Sequence, residues 1–466
     1  MQRRRDFLKT MAATPLAMSA GSMASMFAAA PACATDVSGY KALVCVFLFG
    51  GMDCHDTVLP VDASSYSSLA QIRSPLLQSY AALASGTSRD RASLLALNPA
   101  TADFGARRFG LPPQLSGLHA LFEQGDAAIV GNVGPLLAPT TAADYFQGTV
   151  DLPARLFSHN DQQSTWMSFG PEGSQLGWGG LFGDAAVEAG ANAEGIFSQV
   201  SVAGNSVFLT GNAVSAYQIS PEGVPSIGLI DAAGDRFNAT AQARVRDHFI
   251  AGGDQRVNLF ERDLVDLSRI SLDANDLLDT ALQSRSTLKT AFPASPLGGQ
   301  LRAVAQTISV RQSLGAARQV FFVALGGFDT HSAQANDLPG LQQDVGDSIA
   351  AFFAATQELG VAQDVTTFTA ADFGRTLTVN GDGTDHGWGS HHFVVGRTVK
   401  GGDIYGDIPP PVLGHSQDAG NGRLIPTMSV EQFAYPLGRW FGLSEASLTT
   451  ALPGLARFSA APPAFI

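Results

Sequence analysis

Four continuous apolar runs punctuate the chain, at residues 41–49 (KALVCVFLF), 127–133 (AAIVGNV), 320–325 (VFFVAL) and 365–369 (VTTFT). None alternates polar with apolar positions. Each therefore predicts a strand covered on both faces, and together they predict a central, mostly parallel sheet. Between them lie stretches with helical spacing. Residues 301–313 read as a helix that ends before Gly315, and Leu341, Val345, Ile349, Phe352 and Leu359 share one face of another, stopped at Gly360. Residues 429–443 predict a third, with Ser429 and Gln432 as a capping pair and Phe433, Leu437 and Trp440 on its core face. Strand, helix and strand over residues 320–369 make a βαβ unit, so the fold class is α/β with helices on both faces of the sheet. From about residue 180 to 292 the pattern changes. Short β-like pieces at 200–209 and 215–219 precede amphipathic helices around 239–282. This region predicts an inserted α+β portion over the sheet, serving as a lid or a partner surface.

The runs end in loops that carry acids and imidazoles. Residues 41–49 lead into Gly50-Gly51-Met52-Asp53, residues 320–325 into a loop with Asp329 and His331, and residues 365–369 into Asp372-Phe373-Gly374-Arg375. Asp385, His386, His391 and His392 follow within a glycine-rich segment. In a parallel sheet the first three loops share one rim, the edge at which open α/β sheets bind ligands. Carboxylates gathered there repel one another unless a cation lies between them. Oxygen and imidazole ligands converging from rigid strand ends are what a divalent metal requires. On residue type alone, Asp53 has an equal alternative as a turn cap. Arg375 either clamps a substrate oxygen through its planar fork or forms a salt bridge at the strand end.

A further candidate precedes a helix-compatible segment that runs to Phe169: Ser158-His159-Asn160-Asp161. Ser158 has the position of an N-cap, and the same position suits a nucleophilic hydroxyl facing an anionic ester at the positive end of a helix. His159 is an alternative metal ligand. Phosphate-loop, dinucleotide-binding, H-E-x-x-H and G-x-S-x-G signatures are missing from the sequence.

The amino terminus reads as an export signal. Arg4-Arg5-Asp6-Phe7-Leu8-Lys9 is a twin-arginine motif, a mildly apolar stretch follows, and Ala32-Cys33-Ala34 is an A-x-A cleavage site. Residues 1–34 are thus expected to engage the twin-arginine translocase and to be removed, leaving a periplasmic or secreted domain at 35–466. Gly, Ser, Thr and Pro interrupt the stretch, which argues against a stable membrane span. The formal net charge is −13, and it grows more acidic without the basic leader. That excludes nucleic acid as the main partner, but a bound cation would still allow a small anionic ester as substrate. Only three cysteines occur, at 33, 45 and 54, so no disulfide framework holds the fold.

In this order, the twin-arginine start, FLFGGMD, the Ser158 to Gln163 run, GGFDTH, ADFGRT and TDHGWGSHHFVVG resemble the secreted bacterial family called domain of unknown function 1501 (DUF1501). The family is grouped with the alkaline-phosphatase and sulfatase superfamily. The resemblance implies an alkaline-phosphatase-like α/β sandwich with one or two divalent metals (Zn, Mn or Ca) at the strand ends. Carried over by position, Asp53 resembles the first-strand ligand, Asp329 and His331 an aspartate–histidine pair, and Asp372 the aspartate of Asp-His-Gly. His386, with His391 as its rival, resembles the late histidine. Two departures stand out: Phe373 replaces the usual histidine, and no Cys-x-Pro-x-Arg or Ser-x-Pro-x-Arg sequence occurs. The function expected is an exported metal-dependent hydrolase of phosphate or sulfate esters. The alternative is an exported metal-binding accessory or surface-assembly protein without hydrolytic activity.

Overall fold

The first apolar run becomes β1 (Lys41–Leu48), the strand around which the sheet is arranged. The computed structural model describes residues 34–83, 86–193, 195–224, 239–250 and 257–466, so the expected leader, except for Ala34, lies outside the described residues. After β1 the chain passes through β2 (Leu59–Pro60), α1 (Ala63–Ala82), β3 (Leu95–Ala96), β4 (Phe109–Leu111), α2 (Ser116–Glu123) and β5 (Ala127–Gly134). Next come α3 (Ala142–Gln147), α4 (His159–Ser168), α5 (Trp178–Glu188), β6 (Gln199–Ser201), β7 (Tyr217–Gln218), α6 (Ala239–Ile250) and α7 (Leu259–Gln283). Then follow α8 (Pro296–Ser309), β8 (Arg318–Leu325), α9 (Gln334–Glu358), β9 (Val365–Ala371) and the hairpin β10 (Arg375–Asn380) with β11 (Gly383–His386). The chain closes with β12 (Ser390–Val395), β13 (Ile404–Gly406), β14 (Met428–Ser429), α10 (Val430–Phe441) and α11 (Glu445–Ala451).

Among the described residues the large sheet has the order β13–β5–β12–β9–β1–β8–β6–β7, with β14 also on β5. Every pairing is parallel except those of β12, which runs antiparallel to β5 and β9. Mixed α/β architecture around a mostly parallel sheet is therefore present, as the apolar runs indicate. Residues of β1 alternate between two cores: Ala42, Val44, Val46 and Leu48 face one side, and Leu43, Cys45 and Phe47 the other. Helices α2, α8 and α9 cover the first face through Leu118, Leu301, Val304, Ile349 and Phe352. Trp166, Trp178, Phe182, Phe433 and Leu437 from α4, α5 and α10 cover the second. Burying each such side chain contributes about 1.5–3 kcal/mol, and this is why a strand needs no polar face here.

Part of the 180–292 region belongs to the sheet itself. β6 and β7 join the central sheet beside β8, and α7 lays Ala274, Leu278 and Ala281 on the first core. They overlap the β-like pieces expected at 200–209 and 215–219 but span only three and two residues, too short to announce that they join the sheet. Residues 225–238 and 251–256 of this region lie outside the described residues.

Register sets up the rim. Leu48 pairs with Leu325 on one side and with Ala371 on the other, so β1, β8 and β9 end level. Because β12 is antiparallel, its beginning and the β10–β11 hairpin before it arrive at the same edge.

Candidate metal centre

Two glycines let the loops on this rim close. Gly50 (φ +112°) and Gly51 (φ +92°) follow β1 in a backbone conformation that side chains rarely adopt. A Cβ on Gly50 would stand 2.3 Å from the Asp329 amide nitrogen, and one on Gly51 would stand 2.4 Å from the Phe373 ring. Asp372, the first residue past β9, is fully buried. Its Oδ2 accepts from the Gly50 amide at 3.2 Å, from Gln163 Nε2 at 2.8 Å and from His159 Nδ1 at 2.6 Å. Across the β10–β11 hairpin Arg375 pairs with His386, which returns that imidazole to the strand end.

His159, Asp329 and His386 each offer one ligand atom, and these atoms all lie within 4.8 Å of one another. His159 Nε2 is 3.4 Å from Asp329 Oδ2, and His386 Nε2 is 3.1 Å from Asp329 Oδ1. His331 Nε2 stands 3.1 Å from the same Oδ1 and 2.8 Å from His386 Nε2. An oxygen faces the Nδ1 of each ring from behind. It belongs to Asp372 for His159 (2.6 Å), to the Phe157 carbonyl for His386 (2.7 Å) and to Asp385 for His331 (3.3 Å). Such oxygens fix the tautomer and turn Nε2 forward, the support that metal-ligating histidines have. Behind Asp329, the Arg375 guanidinium donates to Oδ1 at 2.7 Å. The buried Phe373 ring packs on His159 and His386, with centroids 4.9 and 4.7 Å apart.

These donors fit a divalent cation. A carbonyl oxygen only accepts, so His386 Nδ1 carries the proton, and a neutral ring then turns its Nε2 lone pair toward a carboxylate oxygen 3.1 Å away. That contact is repulsive until a proton or a cation stands between the two. Ligand atoms about 2.0–2.2 Å from a tetrahedral zinc ion lie roughly 3.4 Å apart, close to the separations of 3.1 and 3.4 Å at Asp329. Asp372 Oδ1 adds a buried acceptor with no hydrogen-bond partner among the described residues.

The local fields act on each group differently. The hydrogen bond to Asp372 raises the His159 pKa, and the charges of Asp372 and Asp329 add to it against partial desolvation. Burial lowers His386 more than the Phe157 carbonyl supports its cation, so that ring favours the neutral form. Burial pushes Asp329 up, but the Arg375 hydrogen bond and charge outweigh it and hold the carboxyl below its ordinary value.

The rim thus brings together Asp329, His331, Asp372, Asp385, His386 and His159. Other residues singled out by sequence have different surroundings. Asp53 is corrected from a ligand to half of a buried ion pair: Arg73 grips both its oxygens at 2.8 and 2.9 Å, and Gln334 adds a bond at 2.7 Å. Burial pushes its carboxyl up, yet the guanidinium holds it below the usual range. It also caps the turn at His55, in keeping with its alternative role. His391 is buried with its Nδ1 accepting from the Asn132 amide at 3.0 Å, and burial lowers its pKa to about 3. Between the rivals, His386 is the one at the centre. Arg375 is 0% exposed and spends its donors on Asp329, the Gly50 carbonyl and Thr384, so it is the salt bridge and not a substrate clamp. Ser158 stands at the N-cap of α4 without a capping bond, and its hydroxyl donates to Asp161 Oδ2 at 2.9 Å. Sequence reasoning overlooked Gln163, Arg73 and the Phe157 carbonyl. Gln163 lies four residues after His159, so helical spacing links the two. Arg73 carries no local signal, and Phe157 acts through its backbone.

Comparison with known proteins adds a family but no activity. No curated protein is matched. A solved structure described as "Crystal structure of Ps i-CgsB in complex with k-i-k-neocarrahexaose" is similar at a TM-score of 0.36 and 7% identity, covering 90% of this chain and 76% of that one. The family model "Protein of unknown function (DUF1501)" matches residues 40–450. The chain belongs to the DUF1501 family.

Proposed function

We propose that the rim holds a divalent cation and that the protein is an exported metal-dependent hydrolase of phosphate or sulfate esters, with an alkaline-phosphatase-like arrangement of ligands at strand ends. The supporting observation is the convergence of the His159, His331 and His386 Nε2 atoms on the Asp329 carboxylate, each ring backed by an oxygen at Nδ1. Imidazole-rich ligation favours zinc over manganese or calcium. Asp329 is 43% exposed, which leaves an approach from solvent, as a catalytic metal site requires. A cation there would supply Lewis-acid polarisation of the ester and a hydroxide at neutral pH.

The chain's own residues do the rest. Asp372, the Phe157 carbonyl and Asp385 orient the three rings, and Arg375 holds Asp329. Helix α4 begins at His159 and its N-cap side chain makes no capping bond, so the free amides of its first turn favour an anionic ester. Ser158, with its proton directed to Asp161, is the candidate nucleophile. The basic, A-x-A-terminated leader supports export through the twin-arginine translocase to the periplasm or beyond.

The test is turnover of p-nitrophenyl phosphate, bis-p-nitrophenyl phosphate and p-nitrophenyl sulfate by protein reloaded with Zn or Mn. Turnover lost in Asp329→Ala and on chelation supports the hydrolase, and Ser158→Ala separates a covalent route from attack by water. One observation favours a second reading, a metal-binding accessory or surface-assembly protein. Phe373 occupies the place of a superfamily histidine and packs on His159 and His386. Stoichiometric metal with no turnover across the panel selects it.

A further inference from the structure

The loop before α4 carries two non-glycine residues in the left-handed region, Arg155 (φ +47°) and Phe157 (φ +72°). A bulky residue keeps such a conformation only where its surroundings enforce it. Phe157 is gripped from two sides. Its carbonyl receives His386 Nδ1 at 2.7 Å, and its ring lies under the Arg423 guanidinium, 5.1 Å from the centroid. Arg423 Nε also donates to the His386 backbone carbonyl at 2.8 Å. One side chain therefore touches both partners of the Phe157–His386 contact. Its own turn is fixed by Asp418, whose Oδ1 accepts the Gly420 and Gly422 amides at 2.7 and 2.8 Å.

We infer that Arg423 is a positioning residue: it keeps the Phe157 carbonyl on His386 Nδ1, so that the proton stays on that nitrogen and the Nε2 lone pair is directed at Asp329. Its effect on metal affinity rests on the proposed metal centre. Its effect on the tautomer does not, because the metal-free protein carries it. The contact has three determinants in one place: a cation over a ring, a charge-assisted hydrogen bond and a strained carbonyl aimed at an imidazole.

The test combines nitrogen-15 NMR of labelled histidines in chelator-treated protein with Co2+ titration followed by its visible spectrum. His386→Gln identifies the resonances. The wild type is expected to show His386 protonated at Nδ1. Arg423→Ala is expected to mix the two tautomers and to weaken Co2+ binding about 10–100-fold. Arg423→Met retains volume over the Phe157 ring and serves if the alanine variant does not fold. An Nε2–H tautomer in the wild type, or a folded Arg423 variant with unchanged tautomer and affinity, overturns the inference. Loss of the tautomer in the variants without Co2+ binding by any protein leaves Arg423 in its role and removes the metal centre instead.

Discussion

Asp372 and Asp53 are both buried aspartates just past parallel strands, yet their neighbours give them opposite tasks. Asp372 accepts from His159, Gln163 and the Gly50 amide, whereas Asp53 is neutralised by Arg73. Replacing Asp372 by Asn removes the negative charge behind His159 Nδ1 and leaves only a neutral amide oxygen to accept there, so divalent-metal affinity should fall about 10–100-fold. Isothermal titration with Zn2+ measures it. Asp53→Asn leaves the Arg73 charge buried and unpaired, so it should cost about 3–5 kcal/mol of stability. Urea denaturation checks that value, and metal affinity should change little in any Asp53→Asn protein that folds. Residue types and strand-end positions made Asp329, Asp372, His331 and His386 legible in the sequence. Position alone also suggested Asp53, because the arginine that claims it comes from α1 and no spacing rule connects the two. The Phe157 carbonyl was illegible for another reason: any residue supplies a carbonyl, and only the fold decides where it points.

At the scale of elements, the glycine pair after β1 governs how closely three loops approach. Gly51→Ala places a methyl group against the Phe373 ring and strains a left-handed backbone, at a cost of about 1–3 kcal/mol. Because Phe373 packs on His159 and His386, the same substitution should weaken metal binding as well as lower the melting temperature. Thermal melts with and without Zn2+ separate the two effects: the stabilisation by metal should shrink in the variant. The long buried strands were readable as apolar runs, and the Ser429–Gln432 capping box was readable from residue types three apart. β6 and β7 were not readable as sheet strands. Their place depends on pairing with β8, a long-range contact that a short segment does not announce.

Across the whole molecule, three buried histidines lie outside the rim cluster, and burial lowers them to about 4 for His55 and about 3 for His391 and His392. Their folded pKa values fall below the unfolded value near 6.5, so the unfolded chain binds more protons between these limits. Stability should therefore fall as pH drops from about 6.5 toward 4, by roughly 1.4 kcal/mol per pH unit for each histidine fully in its window. Asp56, raised by burial, acts in the opposite sense. Both nitrogens of His392 lack hydrogen-bond partners among the described residues, and its ring sits between Trp166 and Phe433. His392→Phe should accordingly flatten the pH dependence, read from urea denaturation at pH 7 and pH 5. The central claim, that this fold gathers a metal centre at one rim, is tested most directly by titrating chelator-stripped protein with Co2+ and recording the visible spectrum. The wild type should show a ligand-field band saturating with metal, strongly reduced in Asp329→Asn and in His386→Ala. A folded wild type that develops no such band, and that binds Zn2+ no more tightly than these two variants, would contradict it.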